Sequence, residues 1–462
     1  MERGLVSTRG LPTWPCTNLL RRQPSSRDSR RGSRVIQCRS TAAKTAKQQA
    51  RKEVVKKTVR IDRLGGRAKK QEAPAAGSRL YFNVTGFPFP LGPFLERKTI
   101  RYEVEPDKIW LFEQEQGLGF SNVATNVRMT VIKLQSGGLW VHAPVAPTRE
   151  CVALIKELGY PVEYIVLPTF AYEHKIFVGP FSRAFPGAEV HIAPRQWSWP
   201  VKLPPSFFGI FATSTLKDSD QTTPWAAEIE QKVLSSSVGI GPYVEVAFFH
   251  KQTRTLLVTD AVIMVPSKPP EVVRPEALLE AGGRLPAIIK ALCGGDEEER
   301  ASTSGQSDAP PADPKARKNL GWKRMALQIL YFVPGNLINP DRSFRAVSQQ
   351  LIVSPVVRTL VVNNSKAEVR AWVDAITREW NFRSIIPAHF AAPIFAGKED
   401  FRRAFYFLYE ATAEPARPAG LLQAVFGGVI NSPKKGVAFP QRDMRALNGL
   451  EGFLKNAGVV NK

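Results

Sequence analysis

Residues 162–175, VEYIVLPTFAYEHK, are the part of the sequence that says most about the fold. It opens with an almost continuous apolar run, which is typical of a strand buried on both faces. A loop follows, and Glu173 and His174 then stand side by side where an apolar helical spacing begins. Sites in α/β proteins form beyond the carboxyl ends of strands, so this carboxylate–imidazole pair is a candidate site.

Two further strand-like runs end in a possible metal ligand. The apolar run 256–259 leads directly to Asp260, and the run 385–388 leads directly to His389. Around them the hydrophobic spacing predicts alternating strands and helices with interspersed hairpins, which favours a mixed α/β layered fold. The predicted hairpins span 126–141 and 244–259, the helices lie at 148–158, 176–185, 322–332 and from 366, and the further strands lie at 162–167, 189–193, 351–362 and 384–387.

Composition excludes several classes of protein. The chain has 462 residues, of which 43% are apolar and 23% charged, values ordinary for a globular protein. No apolar run approaches the 18 residues of a membrane span. The four cysteines are scattered singly and form neither a disulfide framework nor a thiolate zinc site.

The net charge of +23 is concentrated at the N-terminus. Residues 1–80 carry 21 Lys and Arg against 5 Asp and Glu, which leaves only +7 for the rest of the chain. The body is therefore only mildly basic and has no RNA-contact motif, which disfavours nucleic acid as a partner. Residues 1–40 hold nine Arg and six Ser with two acids, a pattern typical of an organelle transit peptide.

These shifts in composition predict the domain organisation. We expect a transit peptide at 1–40, a basic disordered linker at 41–80, one domain at 81–412 and a C-terminal extension at 413–462. Residues 294–318 are polar and nearly free of large apolar side chains, which predicts a disordered insertion within the domain.

The order of strand, carboxylate–His pair, strand–Asp and strand–His resembles the metallo-β-lactamase fold. That resemblance implies an αββα four-layer sandwich with mixed sheets. The signature loop of the fold is His-x-His-x-Asp-His, and here Thr169 and Ala171 replace the first two histidines while Glu173 replaces the Asp. The fold's third histidine has no counterpart near Tyr243.

More specifically, residues from about 82 to 412 resemble the domain-of-unknown-function family numbered 4336, which occurs in cyanobacteria and plastid-bearing eukaryotes. The resemblance is carried by LWVHAPVAPTRECVALIKELG, EHKIFVGPFSRAFPGAEVHIAPRQWSWP, EVAFFHKQTRTLLVTDAV and SIIPAHFAAPI. It implies the fold and a location in the plastid stroma, and no particular reaction.

The resemblance implies that one metal shell is lost and one is kept. The residues matching the second shell are Glu173, His174, Asp260 and His389. Two imidazoles and two carboxylates suit Zn²⁺, or Fe²⁺ or Mn²⁺ with added waters. Either these residues bind one divalent metal, or they form a hydrogen-bonded cluster without metal; the sequence leaves both open.

The remaining histidines receive separate predictions. His142 lies where the fold has an Asp that supports the metal ligands, so a contact with the site is one alternative to simple packing. His191 alternates with apolar neighbours and is expected to face away from the core, and His250, near a hairpin tip, is expected to be solvated.

Two functional hypotheses follow. The first is a divergent metal-dependent hydrolase with at most one metal site and an unknown substrate. The second is a non-catalytic plastid relative that binds a small molecule or a protein. No catalytic residue beyond the metal ligands is assigned.

Overall fold

The computed structural model describes residues 67–68, 75, 77–82, 92, 95–118, 123–198, 202–237, 241–285, 309–332, 334–335, 337–409 and 439–456. The predicted transit peptide at 1–40 and residues 294–308 of the predicted insertion lie outside this range. None of the described helices is long and apolar enough to cross a membrane.

The first sheet has eight strands in chain order and is mixed. Its strands β1 to β5 pair antiparallel, and β5 to β8 pair parallel. They span Arg67–Ala68 (β1), Thr99–Glu105 (β2), Ile109–Gly117 (β3), Ala124–Lys133 (β4), Leu139–His142 (β5), Val162–Leu167 (β6), Glu189–Ile192 (β7) and Ser214–Thr215 (β8).

The second sheet has four strands in the order β12-β11-β10-β9. Its pairs β9–β10 and β10–β11 are antiparallel, whereas β11 and β12 are parallel. The parallel pair places the ends of two strands at the same edge. The strands span Ile229–Ser237 (β9), Pro242–His250 (β10), Thr255–Leu257 (β11) and Ser384–Ile386 (β12).

Nine α-helices lie within the described residues. Several begin with the expected signals: Thr148 accepts from the Cys151 amide at 3.0 Å and Asp313 caps the helix that follows it. They span Arg149–Lys156 (α1), Tyr172–Ala184 (α2), Pro275–Ala281 (α3), Pro314–Tyr331 (α4), Asp341–Val347 (α5), Pro355–Leu360 (α6), Lys366–Glu379 (α7), Lys398–Ala404 (α8) and Gln441–Asn456 (α9).

Three apolar clusters show that the layers are stacked in the order helix, sheet, sheet, helix. One cluster, which includes Ile155 and Val141, joins α1 and α2 to the outer face of the first sheet. A second lies between the sheets and includes Trp140 and Phe248. A third joins α7 and α8 to the outer face of the second sheet. The predicted αββα sandwich with mixed sheets is confirmed.

Parts of three predicted segments contain regular structure or tertiary contacts. Strand β1 and Arg79, which pairs with Glu150 at 3.0 Å, lie within residues 41–80, predicted as a disordered linker. Helix α4 begins at Pro314, so residues 314–318 of the predicted insertion are helical. In the C-terminal extension, α9 buries Leu447 against α4, and Asp443 accepts from the Gly335 amide at 2.8 Å.

Two local predictions in the second half of the chain were wrong. The stretch 351–362 was predicted as extended from its β-branched residues, but it contains α6, because Ser354 caps the Val357 amide at 3.3 Å and Pro355 starts the helix. The capping box expected at Ser365 is not formed, since the Ser365 hydroxyl donates to the Val361 carbonyl at 2.9 Å. Helix α7 itself follows as predicted.

Candidate metal centre

The four predicted ligands come together at one edge of the sandwich. Glu173 and His174 lie in the first turn of α2, Asp260 lies three residues beyond β11, and His389 lies three residues beyond β12. One ligand atom from each residue lies within 4.8 Å of those of the other three. This is the one group of three or more His, Cys, Asp and Glu side chains with metal-binding spacing among the described residues.

The backbone pairing of β11 and β12 continues past their ends and brings two of the ligands together. The Val258 amide donates to the Ile386 carbonyl at 3.1 Å, and the Ala388 amide donates to the Thr259 carbonyl at 3.2 Å. Asp260 and His389 follow directly. Their side chains approach to 3.6 Å between Nε2 and Oδ1.

A buried carboxylate that sequence reasoning missed fixes the Asp260 loop. Glu245 of β10 is fully buried, and its Oε1 accepts from the amides of Thr259 at 2.8 Å and Ala261 at 3.2 Å. Its Oε2 accepts from the Tyr243 hydroxyl at 2.8 Å. The two amides flank Asp260, so Glu245 sets the position of that side chain. A charged residue within the apolar strand Val244–Val246 was the signal available in the sequence.

The His389 ring is oriented by the first sheet. Its Nδ1 lies 2.9 Å from the Asn126 carbonyl, which can only accept, so Nδ1 carries the proton and Nε2 presents its lone pair. The Asn126 side chain binds both the amide and the carbonyl of Phe390, at 2.9 and 3.1 Å. Phe390 has a φ of 59°, in the left-handed region, and these two bonds hold it there.

Arg128 also binds this loop, through two of its backbone carbonyls. Its guanidinium donates to the carbonyls of Pro387 and Phe390, and Nε donates to Glu113 at 2.8 Å. Arg128 and Glu113 are both buried. The loop that presents His389 is therefore held by Asn126 and Arg128 of β4, and Glu113 of β3 holds Arg128 in place.

The environment of the His174 ring shows whether the four side chains suit a metal ion. His174 is completely buried, and neither of its ring nitrogens has a hydrogen-bond partner. Buried polar groups are nearly always paired, so a nitrogen lone pair among two carboxylates and a second imidazole is an open ligand position. The ring lies 5.3 Å from that of His389, centroid to centroid. The donor set fits a divalent metal.

The positions of the two missing signature histidines have a different role. Thr169 donates to the Val244 carbonyl at 3.1 Å and accepts from the Ala171 amide at 3.2 Å. These bonds shape the loop between β6 and α2 and join it to β10. Neither residue belongs to the group of side chains with metal-binding spacing.

Comparison with known proteins identifies the family. A family model described as a domain of unknown function (DUF4336) matches residues 106–341 and 338–407, more than half of the chain. The chain belongs to the DUF4336 family. No curated protein sequence matches this DUF4336 chain.

Solved structures similar to the DUF4336 chain share little sequence with it. A metal-soaked flavodiiron core from Synechocystis sp. PCC6803 is 10% identical over 69% of this chain, with a TM-score of 0.37; the chain spans 62% of the length of that core. A metallo-β-lactamase from Pontibacter korlensis is 12% identical, with a TM-score of 0.33 and coverage of 68% of this chain and 100% of the other. A diflavin flavoprotein A 5 fragment from Nostoc sp. PCC 7120 is 11% identical, with a TM-score of 0.34 and coverage of 64% and 89%.

Burial dominates the electrostatics of the site in the DUF4336 chain. It raises the pKa of Asp260 to about 7, with a further contribution from Glu245. Burial, and then the charge of Asp260, raises the pKa of Glu173, and burial lowers the pKa values of His174 and His389. Crowded carboxylates beside neutral imidazoles favour a bound cation over the ionised metal-free site.

The raised pKa of Asp260 predicts a pH dependence for the metal-free protein. Between pH 4 and 7 the folded state keeps a proton that the unfolded chain releases, so the free energy of unfolding falls as pH rises. In chelator-treated protein, Asp260→Asn should remove about 2 kcal/mol of this decline, allowing for the residual exposure of Asp260. Chemical denaturation at a series of pH values measures the free energy of unfolding of both proteins. If the wild type and Asp260→Asn lose the same free energy between pH 4 and 7, the prediction is wrong.

The structure corrects two predictions about histidines outside the site. His191 was expected to face away from the core, but it is buried, because the face of the first sheet opposite the helices packs on the second sheet. Its Nδ1 lies 2.6 Å from Ser214 Oγ, and its ring packs on Trp225. His250 was expected to be solvated, but it precedes the hairpin tip and is buried, with Nδ1 2.7 Å from Thr253 Oγ1.

His142 is packed and does not belong to the metal-binding group. Its ring stacks on Trp140 at 5.8 Å and meets the edge of Phe248 at 5.6 Å. Burial lowers its pKa to about 3, so the ring is neutral. Of the alternatives for His142, the structure shows packing between the sheets.

Proposed function

We propose that this DUF4336 protein is a hydrolase that uses one divalent metal ion, bound by Glu173, His174, Asp260 and His389. The observation that supports it is the convergence of four ligand atoms within 4.8 Å around the unpaired ring of His174. Two imidazoles and two carboxylates suit Zn²⁺, Fe²⁺ or Mn²⁺. Such an ion supplies Lewis acidity toward an ester or phosphoryl oxygen and lowers the pKa of a water toward 7.

The geometry favours this proposal over a metal-free hydrogen-bonded cluster. No hydrogen bond joins the four side chains, and the 3.6 Å between His389 and Asp260 is too long for one. A cluster that exists for its own hydrogen bonds would pair the nitrogens of His174, and it does not. Absence of a bound metal would instead favour the non-catalytic alternative.

The four proposed ligands differ in their exposure to solvent. His174 and His389 are buried and would hold the ion from the protein side. Glu173 and Asp260 are partly exposed, so a substrate would approach on their side. Glu245 and Asn126, through the bonds described above, keep Asp260 and the Nε2 atom of His389 in place.

Hydrolysis of simple esters tests the proposed activity. Chelator-treated protein should gain activity toward p-nitrophenyl acetate or bis(p-nitrophenyl) phosphate when Zn²⁺, Fe²⁺ or Mn²⁺ is returned. His389→Gln removes a ligand and should abolish that gain, whereas His250→Gln, a buried histidine outside the site, should keep it. Protein that binds metal yet hydrolyses neither ester would contradict the hydrolase proposal and leave the metal site intact.

We propose in addition that the N-terminal region directs the protein to plastids. The support is the excess of 21 basic over 5 acidic residues in positions 1–80 and the Arg- and Ser-rich composition of positions 1–40. A fluorescent protein fused behind residues 1–80 should accumulate in the plastid stroma of plant cells. A cytosolic or mitochondrial signal would contradict it.

A further inference from the structure

A cavity of about 390 Å³ lies beside the His389 loop and is separate from the metal centre. It lies between β2–β4 and the segments around residues 264–271 and 390–393. None of the four proposed metal ligands lines it, although it shares Asn126 and Phe390 with the support of His389. Its volume is within the range of small-molecule sites.

The lining of the cavity combines apolar walls with several polar and charged side chains. Met264, Pro266, Phe390 and Pro393 form apolar wall. The Tyr102 hydroxyl donates weakly to Glu271, at 3.4 Å. Burial is the main cause that raises the pKa of Tyr102, and the charges of Glu113 and Glu271 raise it further. Both carboxylates therefore lie near the neutral Tyr102 hydroxyl.

Glu113 is the group in this cavity whose bonding is incomplete. It is 6% exposed, and its Oε1 takes both donors from Arg128. Its Oε2 makes no hydrogen bond with any described residue, and Glu113 lines the cavity. This oxygen therefore remains available to a ligand in the cavity that brings a hydrogen-bond donor.

The cations of the cavity do not offer a site for an anion. Each of the three guanidinium nitrogens of Arg128 already donates, to Glu113 and to the carbonyls of Pro387 and Phe390. Lys268 is exposed at the rim. An anionic ligand would therefore face two carboxylates with one solvated ammonium to bind it.

We infer that this cavity binds a small organic amine, with its ammonium group among Glu113 Oε2, Glu271 and Tyr102 and its apolar body against Met264 and Phe390. An ammonium has three donors and no acceptor, which suits two carboxylates and a phenol oxygen. The ring of Tyr102 adds a face for the cation. This inference is independent of the proposed metal chemistry.

Titration calorimetry of the full chain at pH 7 tests the inference with three probes of similar size. 2-Phenylethylamine should bind with a Kd on the order of 1 mM, as expected for so small a ligand. The neutral 2-phenylethanol and the anionic 3-phenylpropionate should bind more weakly. Glu271→Gln should weaken the amine roughly three- to fivefold, the range of a solvent-accessible ion pair.

A matched variant distinguishes binding in the cavity from a general effect of surface charge on the amine. Glu276 is an exposed carboxylate on α3 outside the cavity, so Glu276→Gln should leave amine binding unchanged. Absence of amine binding, equal or tighter binding of the alcohol or the anion, or equal effects of the two substitutions would overturn the inference.

Discussion

Arg128→Met is expected to lower the free energy of unfolding by about 3–5 kcal/mol, the usual effect of breaking a buried ion pair from one side. The substitution leaves Glu113 charged and buried, and it removes the donors that the carbonyls of Pro387 and Phe390 receive. Denaturant unfolding measures the loss. Because those carbonyls flank His389, the variant should also retain less metal than the wild type.

An exposed ion pair provides the control. Arg403 pairs with Asp400 at 2.9 Å, and both side chains are largely exposed. Arg403→Met should therefore cost less than about 1 kcal/mol. If the two variants lose a similar free energy of unfolding, Arg128 does not stabilise the His389 loop.

Glu245→Leu is expected to weaken metal binding by about 10–100-fold, the usual effect of removing a group that orients a metal ligand. Leucine cannot accept from the amides of Thr259 and Ala261, so the loop carrying Asp260 loses its anchor. Glu245→Gln keeps an oxygen acceptor of the same length and should retain most of the affinity. Competition with a chromogenic chelator measures both variants.

The comparison of Leu with Gln distinguishes hydrogen bonding from charge. If Gln loses as much affinity as Leu, the charge of Glu245 rather than its bonds to the loop matters for the metal. If neither variant loses affinity, Glu245 does not position Asp260.

The residues alone predicted a mixed α/β layered fold, and the resemblance to the metallo-β-lactamase fold supplied the sandwich and the set of four residues that converge. Each of these residues follows a short apolar run, and strand ends at one edge of a sheet bring such residues together. The helix α1 and its Thr148 cap followed from local signals alone. What the sequence could predict was therefore local periodicity and the order of strand ends along the chain.

The errors arose where burial depends on contacts distant in sequence. Alternation along β7 shows that His191 faces opposite Val190, but not that the second sheet covers that face. The role of Glu245 depends on the loop after β11, which lies beyond the β10–β11 hairpin. The pairing of Arg128 with a loop more than 250 residues away has no local signal at all.

The metal content of the purified full chain shows whether Glu173, His174, Asp260 and His389 bind one divalent ion. Elemental analysis of protein produced with Zn²⁺, Fe²⁺ and Mn²⁺ available, and then dialysed, should find one of these metals at about one ion per chain. His389→Gln should contain none, and His250→Gln should match the wild type. A wild type without stoichiometric metal, or with two ions per chain, would contradict the single-metal account.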